Sequence, residues 1–314
     1  GIATGSINYT IWSEIFLCSH CGEDIVFWDA AIDKEHGLVR DTFQCPHCSV
    51  ELTKRGLDQS FELKRDEGLK KIVKHAKAVP VLINYTHDNR TFEKQPDRFD
   101  IALVKRIEGQ PIVDWFPSGR MPEGIETRRN DSGGITHFHQ FYTSRNLAVF
   151  ASAWNKLPYT HKWIVTGCLH RGSKQHQVAI TRIGGEKAGD GGATAGHRRG
   201  TLYIPSNQVE MNAIYLLKNR SNSISKGIAS MPATQGVILS TQTASSLDLI
   251  PESLDYFFFD PPFGANISYS ELNSTTEAWV RVLTNKEHEA IEDRAQKKDV
   301  KDYKDLISDC FKTV

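Results

Sequence analysis

Short apolar runs bounded by polar or turn residues recur along the chain, and this pattern is typical of strands. The clearest run is Tyr256–Phe259, which is aromatic at every position. An uninterrupted apolar run of this length predicts a strand that is buried on both faces of a parallel sheet. Further strands are predicted at Val79–Tyr85, Thr201–Ile204 and Gly236–Leu239. An apolar stretch also lies close to the N-terminus, at Tyr9–Leu17.

Apolar residues recur at helical spacing in four other segments. The first segment follows Phe141, and either Thr143 or Ser144 is its predicted N-cap. Asn207–Leu217 is predicted to be the second helix. The last two helices are predicted in the segment that starts at Glu271. The predicted apolar faces of the first, third and fourth helices are Leu147, Phe150, Ala151 and Trp154; Ala278, Val282 and Leu283; and Tyr303, Leu306, Ile307 and Phe311.

The aromatic run ends at the segment Asp260-Pro261-Pro262-Phe263. Neither proline has an N–H to donate, so the predicted strand stops at Asp260. Because ligands of open α/β sheets bind beyond the carboxyl ends of strands, Asp260 and Phe263 are candidate site residues. A carboxylate and proline carbonyls accept hydrogen bonds, and a ring can stack on a flat substrate. These residues suit the exocyclic amine of a nucleobase, but a Pro-Pro turn with a packed Phe is the structural alternative.

Four cysteines form two C-x-x-C pairs, Cys18/Cys21 and Cys45/Cys48, with 23 residues between them. This spacing is close to that of a four-cysteine zinc ribbon, with Gly22 and Pro46 in the predicted knuckle turns. Disulfides and a redox C-x-x-C are the alternatives. His20 and His47 lie inside the pairs, but four thiolates already complete a tetrahedral site. A zinc ion held in this way would be structural, because it folds a module that has no core of its own.

Composition narrows the range of functions. The chain has 314 residues, with 38 basic and 38 acidic side chains, so any contact with nucleic acid depends on local patches of charge. No stretch approaches the roughly 18 apolar residues of a membrane span, and no signal peptide is recognised at the start. Cysteines in zinc-type spacing without a disulfide framework predict a reducing, cytoplasmic location.

Seven glycines lie in the segment 184–200, together with Lys187, Arg198 and Arg199. The segment lacks the G-x-G-x-x-G pattern, because Thr194 stands where a glycine is needed. We therefore expect a mobile surface loop; a cofactor cradle is the alternative.

At the Asp-Pro-Pro-Phe segment the sequence resembles the amino-methyltransferases, which methylate exocyclic base amines with S-adenosylmethionine. It is similar in particular to a branch of site-specific DNA methylases that carries a zinc ribbon ahead of this motif. The resemblance covers most of the chain as an ordered set of segments. These segments are Tyr9–Glu14, the two cysteine pairs, Gly119–Pro122, Phe141–Leu147, Gly200–Ser206 and Asp260–Asn273.

The resemblance implies a role for each residue of the motif. Asp260 and the Pro261 carbonyl would hold the target amine, and Phe263 would stack on a base flipped out of double-stranded DNA; Pro262 completes the predicted catalytic set. The aspartate favours adenine N6 over cytosine N4 as the target. RNA guanine-N2 methylases share the motif, so an RNA target stays open. The resemblance also allows a restriction nuclease as a partner.

The resemblance further implies an α/β fold in which part of a Rossmann-like methyltransferase sheet carries an inserted zinc ribbon. The predicted divisions are an edge of the catalytic domain (1–17), the ribbon (18–55), an inserted region resembling a target-recognition domain (56–200) and a catalytic core segment (201–314).

The chain departs from the family at its cofactor loop. We find no Asp/Asn-Pro-Phe-x-Gly-x-Gly segment, so the residues that bind S-adenosylmethionine are not identified. We therefore expect a fragment that lacks both flanks of the catalytic domain, is inactive by itself and binds S-adenosylmethionine weakly or not at all. A zinc-ribbon module that binds nucleic acid without catalysis is the non-enzymatic alternative.

Overall fold

The computed structural model describes residues 5–183, 194–231, 236, 242–247, 250 and 252–313. Within these residues the protein is an α/β structure in which all the strand pairs are antiparallel. The strands are β1 Ser6–Leu17, β2 Asp24–Val26, β3 Ile32–Asp33, β4 Leu38–Val39, β5 Thr42–Gln44, β6 Glu51–Thr53, β7 Asp58–Gln59, β8 Phe61–Asp66, β9 Lys71–Ala76, β10 Ala78–His87, β11 Arg90–Lys94, β12 His176–Val178, β13 Thr194–His197 and β14 Asn207–Met211. The α-helices are α1 Phe27–Ala31, α2 Arg98–Glu108, α3 Ser144–Lys156, α4 Trp163–Thr166, α5 Ala213–Ser230, α6 Tyr269–Val280 and α7 Val300–Thr313.

The main sheet has the strand order β11-β10-β1-β14-β12-β13, with β2 and β7 paired to the end of β1. Strand β1 is central because its middle residues pair on both sides: Ile11 lies opposite Leu82 of β10 and Val209 of β14. Its last residues, Ile15–Leu17, pair instead with β2. The strand therefore runs out of the main sheet and ends immediately before Cys18.

The sheet joins segments that are far apart in sequence. Strands from the predicted divisions 1–17, 56–200 and 201–314 lie side by side in it. The boundaries of these divisions stay a prediction, and the sheet is the element that connects them.

The predicted helix at Asn207–Leu217 is wrong in its first half. Asn207–Met211 forms β14, and the helix begins only at Ala213. The side chain of Asn212 accepts hydrogen bonds from the N–H groups of Ile214 and Tyr215, at 3.0 and 3.2 Å, and so caps the helix. Pairing of Asn207–Met211 with the central strand outweighs its helical spacing, because the ladder satisfies its backbone groups.

The predicted buried strand at Tyr256–Phe259 is also wrong. These residues belong to no strand, and Tyr256 and Phe258 are 81% and 79% exposed. An apolar run forms a buried strand only where other elements of a sheet cover it, and no described strand lies beside this one. The described residues also contain no parallel sheet.

The three remaining strand predictions have different outcomes. Thr201–Ile204 forms no strand, although Leu202 is buried. Most of Gly236–Leu239 lies outside the described residues. Val79–Tyr85 is confirmed, because it lies within β10.

The helix predicted after Phe141 is confirmed as α3. Thr143 is its N-cap and accepts a hydrogen bond from the N–H of Asn146. The predicted face is buried, and Trp154 packs edge-on against Trp279 of α6 with ring centroids 5.7 Å apart. Trp279 is fully buried, so α6 is fixed to the core through this ring.

Val282 and Leu283 lie beyond the end of α6 and are exposed, so their assignment to its apolar face is wrong.

In the part of the chain that the structure describes, no helix combines the length and the apolar character needed to cross a membrane.

Candidate functional site

The four cysteines of the two C-x-x-C pairs converge on one point. Their sulfur atoms all lie within 4.8 Å of one another. The Sγ atoms of Cys18 and Cys48 are 3.8 Å apart, and those of Cys21 and Cys45 are 3.9 Å apart. Four thiolates at a metal–sulfur distance of about 2.3 Å around a tetrahedral ion are separated by ~3.8 Å, so the arrangement fits a single metal ion. The cysteines are free thiols, and no disulfide joins them.

The two cysteine pairs have the same backbone turn. The N–H of Gly22 donates to the Cys18 carbonyl at 2.9 Å, and the N–H of Ser49 donates to the Cys45 carbonyl at 3.0 Å. Both turn residues have positive φ, +77° for Gly22 and +59° for Ser49. Gly22 therefore serves as the sequence predicts, whereas in the second turn Ser49, and not Pro46, takes the left-handed position.

Backbone groups in these turns prepare the thiols for a metal. The N–H of His20 lies 3.4 Å from the Cys18 sulfur, and that of His47 lies 3.4 Å from the Cys45 sulfur. Hydrogen bonds from the backbone of Cys21 and His20 help to lower the pKa of Cys18 to about 6. Because a thiolate is the form that binds metals, these bonds favour the binding state of Cys18. Desolvation and hydrogen bonds with the neighbouring thiols raise the pKa of Cys21 and Cys48. The His47 ring contacts the Asp24 carbonyl at 3.1 Å and is not part of the sulfur cluster.

The metal-binding module is packed against the main sheet. The ring of Phe27 on α1 makes edge contacts with Phe16 of β1 and Phe43 of β5, at centroid distances of 5.7 and 6.1 Å. The Ser13 hydroxyl of β1 accepts a hydrogen bond from the N–H of Trp28 at 2.9 Å. A metal that orders residues 18–48 would therefore also fix the end of the central strand.

The motif Asp260-Pro261-Pro262-Phe263 lies on the surface in extended backbone without strand partners. Asp260 is exposed, and Phe263 is 71% exposed. The Asp260 carboxylate and the Pro261 carbonyl receive no hydrogen bond from the described residues. The described residues therefore leave both acceptors and most of the Phe263 side chain open to a ligand, but they do not enclose them.

Helix α7 holds the motif in place. The hydroxyl of Tyr303 donates a 2.8 Å hydrogen bond to the Pro262 carbonyl. The ring of Phe311 packs edge-on against Phe259, with centroids 4.8 Å apart. The predicted face of α7 therefore carries two residues that position the motif, and the sequence pattern did not specify this contact.

A second segment of the resemblance is anchored by a buried carboxylate. Glu271, in α6, is 0% exposed and accepts hydrogen bonds from the N–H groups of Ile125, Glu126 and Thr127 at 3.2, 2.8 and 2.8 Å. The loop that follows Gly119–Pro122 is thus joined to the helix that follows the motif. The segment Asp260–Asn273 therefore lies against residues 125–127, which follow Gly119–Pro122 in the chain.

The structure also contains a buried polar cluster that sequence reasoning missed. Asp66 of β8 contacts the His139 ring at 2.7 Å and accepts a hydrogen bond from Gln140 at 2.8 Å. These residues, with His75 and Lys174, line a cavity of about 130 Å³. Burial alone would raise the pKa of Asp66. The hydrogen bonds from His139 and Gln140 instead hold this pKa well below its usual range. No motif signals the cluster, because its two halves lie 73 residues apart.

The Gly-rich segment is described only in part. Residues 184–193 lie outside the described residues. Thr194–His197 forms β13, which pairs with β12, and Arg198 and Arg199 follow it in the chain.

Comparisons of the chain with protein-family models, with curated proteins and with solved structures give no match. The function must therefore be argued from the residues and from their geometry.

Proposed function

We propose that this chain is part of an S-adenosylmethionine-dependent DNA methyltransferase that acts on an exocyclic base amine, with adenine N6 as the favoured target. The observation that carries the proposal is the motif itself. Asp260 and the Pro261 carbonyl accept no hydrogen bond from the described residues, and the ring of Phe263 is exposed. A carboxylate and a carbonyl next to a ring are the groups needed to hold a planar amine.

The proposed methyl transfer requires these residues mainly to position the amine. The amine attacks the methyl group of the sulfonium directly and needs no strong base. Asp260 and Pro261 would orient the amine and accept its hydrogen bonds as positive charge develops on nitrogen. Phe263 would stack on the base. S-adenosylmethionine would supply the methyl group, and the residues that bind it are not identified in this chain.

The metal held by the cysteine cluster is proposed to be a structural zinc ion. The set consists of four sulfur ligands, and their separations match a closed tetrahedral site. Such a site has no open position for a substrate. The metal is therefore assigned to the fold of the ribbon and not to catalysis.

The test replaces Asp260 with alanine in the natural gene and weighs the methylated nucleosides in the DNA and RNA of that cell. Loss of N6-methyldeoxyadenosine at a defined set of sites is the expected result. A matched change, Asp255→Ala, alters another aspartate of the same segment and should leave methylation intact. Loss of a methylated guanosine from RNA would favour the RNA alternative. Unchanged DNA and RNA would overturn the proposal.

One observation favours a second candidate, a zinc-ribbon module that binds nucleic acid without catalysis. Asp260 and Phe263 are exposed, and the described residues build no enclosed pocket around them. Under this alternative the variant Asp260→Ala leaves all methylated nucleosides unchanged, while removal of the metal abolishes binding to nucleic acid.

A further inference from the structure

A groove of about 520 Å³ lies between the metal-binding ribbon and the main sheet. One wall comes from the ribbon side and includes Phe27, Val39 and Lys54. The other wall comes from the region of β12, β13 and β14 and includes Arg198, Tyr203 and Asn207. The groove exists only because the ribbon packs against the sheet.

The charged side chains that line this groove are all basic. They are Lys54 and Arg198, and neither forms an ion pair with a described residue. Lys54 Nζ lies 5.1 Å from the centre of the Phe27 ring, which directs the ammonium group along the wall. Burial lowers the pKa of Lys54, and the negative charge of Glu14 opposes that shift; burial in turn raises the pKa of Glu14. The groove thus offers two cations to an anionic ligand.

The groove also contains an aromatic ring. Tyr203 lines it as a half-buried side chain. Asn207 lines it as well, but its Oδ1 atom has almost no accessible surface, so a ligand in the groove does not reach that atom. The groove therefore combines two cations with a ring.

From this combination we infer that the groove binds one unpaired nucleotide of a nucleic-acid strand. The phosphate lies against Lys54 and Arg198, and the base stacks on Tyr203. Cationic walls with an aromatic ring are the usual means of holding single strands. Stacking on a ring tolerates every base, so these residues specify a single strand and not a particular base. The inference rests on the proposed function only in that the substrate is a nucleic acid.

The first experiment measures the binding of fluorescent oligo(dA) and oligo(rA) to the chain over a range of salt concentrations. Lys54→Gln and Arg198→Gln should each weaken binding to the tighter oligonucleotide about tenfold at low salt. Each should also reduce the slope of log K against log salt by about 0.7, as expected when one phosphate contact to a single strand is lost. Arg90→Gln is the matched control, because Arg90 is an exposed arginine on β11, at the opposite edge of the sheet. Equal slopes in all three variants would overturn the inference.

The second experiment separates binding from folding. Tyr203→Leu removes the ring, so binding of oligo(dA) should weaken about tenfold, while the slope of log K against log salt stays that of the natural chain. The melting temperature of the free chain is measured beside it. A fall in melting temperature of more than about 3 °C with unchanged affinity would assign Tyr203 a structural role instead.

The inference and the proposed function can fail separately. Oligonucleotide binding is measured without S-adenosylmethionine and does not involve Asp260. If the groove variants lose binding while Asp260→Ala changes no methylated nucleoside, the groove stands and the methyltransferase proposal fails. If Asp260→Ala abolishes methylation while the groove variants bind normally, the inference about the groove fails.

Discussion

The carboxylate of Glu271 and the backbone N–H and hydroxyl of Thr127 are joined by hydrogen bonds of 2.8 and 3.0 Å across 144 residues of sequence. Both residues are fully buried. Through this contact α6, which follows the Asp-Pro-Pro-Phe motif, is fixed to the loop at 124–127. The helix that follows the motif is therefore fixed by a fully buried carboxylate.

Replacement of Glu271 by alanine should lower the free energy of unfolding by about 3 kcal/mol, because several buried donors lose a charged acceptor. Urea denaturation measures this loss. Asn273→Ala is the control, since Asn273 lies on the same helix and is exposed. A loss in Glu271→Ala no larger than that of the control would show that water replaces the carboxylate at little cost.

Gly124→Ala should destabilise the protein through the same contact. A Cβ atom at Gly124 would overlap Glu271 Oε2, so the loop or the carboxylate must move, at a cost of about 2 kcal/mol. Gly133→Ala is the matched control, because a Cβ atom added at Gly133 would meet nothing within 4 Å. In the double variant with Glu271→Ala the clash disappears, so the two losses should be less than additive. Strictly additive losses would show that the Gly124 methyl group is accommodated without displacing Glu271.

Metal analysis tests the cysteine cluster. The purified chain should contain one tightly held zinc ion, and Cys45→Ser should lose it, because three thiolates no longer close the site. The variant should also lose ordered structure in residues 18–48, which hydrogen exchange would detect. Cys310→Ser serves as the control, since Cys310 lies outside the cluster. Full metal content in Cys45→Ser would rule out this ligand set.

The pH dependence of stability should report on His75. Burial, followed by the charge of Lys174, lowers its pKa to about 4 from 6.5. The folded protein therefore favours neutral His75, and below pH 6.5 the unfolded chain binds the proton first. This contribution to stability is complete above about pH 6.5 and is lost as pH falls towards 4; its full size is about 3 kcal/mol.

The control for this pH effect is His75→Gln, which cannot titrate. Its unfolding free energy should vary less with pH between 6.5 and 4 than that of the natural chain. Parallel curves for the two proteins would mean that His75 titrates alike in the folded and unfolded states. The low pKa of Asp66 acts in a separate window, because its contribution is lost only below about pH 4.

Tyr303→Phe should loosen the motif without disturbing the core. It removes the hydrogen bond to the Pro262 carbonyl and should cost about 1 kcal/mol. Amide hydrogen exchange at Phe263 and Gly264 should become faster. Tyr159→Phe is the control, because Tyr159 is 85% exposed. Unchanged exchange at both amides would show that Phe311 alone positions this segment.

The features that the sequence predicted correctly depend on short-range chemistry. The spacing of the four cysteines reflects a knuckle turn of a few residues, and two such turns suffice to predict the cluster. The cap at Thr143 and the buried face of α3 likewise follow from neighbouring residues. In each case the structure is decided within one turn or one helix, so the local pattern contains enough information.

The features that failed depend on partners elsewhere in the chain. The spacing of Asn207–Leu217 suits a helix, but pairing with β1 makes its first half a strand. Tyr256–Phe259 suits a buried strand, but no described strand lies beside it. Propensity is a weak preference, and tertiary pairing overrides it.

The sequence by itself determined the chemical groups of this protein: four thiols in two knuckles and a carboxylate followed by two prolines and a ring. Only the tertiary structure decided which groups meet. It joined Glu271 to Thr127, Asp66 to His139, and the ribbon to the sheet across the groove of Lys54, Arg198 and Asn207. The physical reason is that burial and hydrogen bonding depend on distance in space, and the separation of two residues along the chain does not fix that distance.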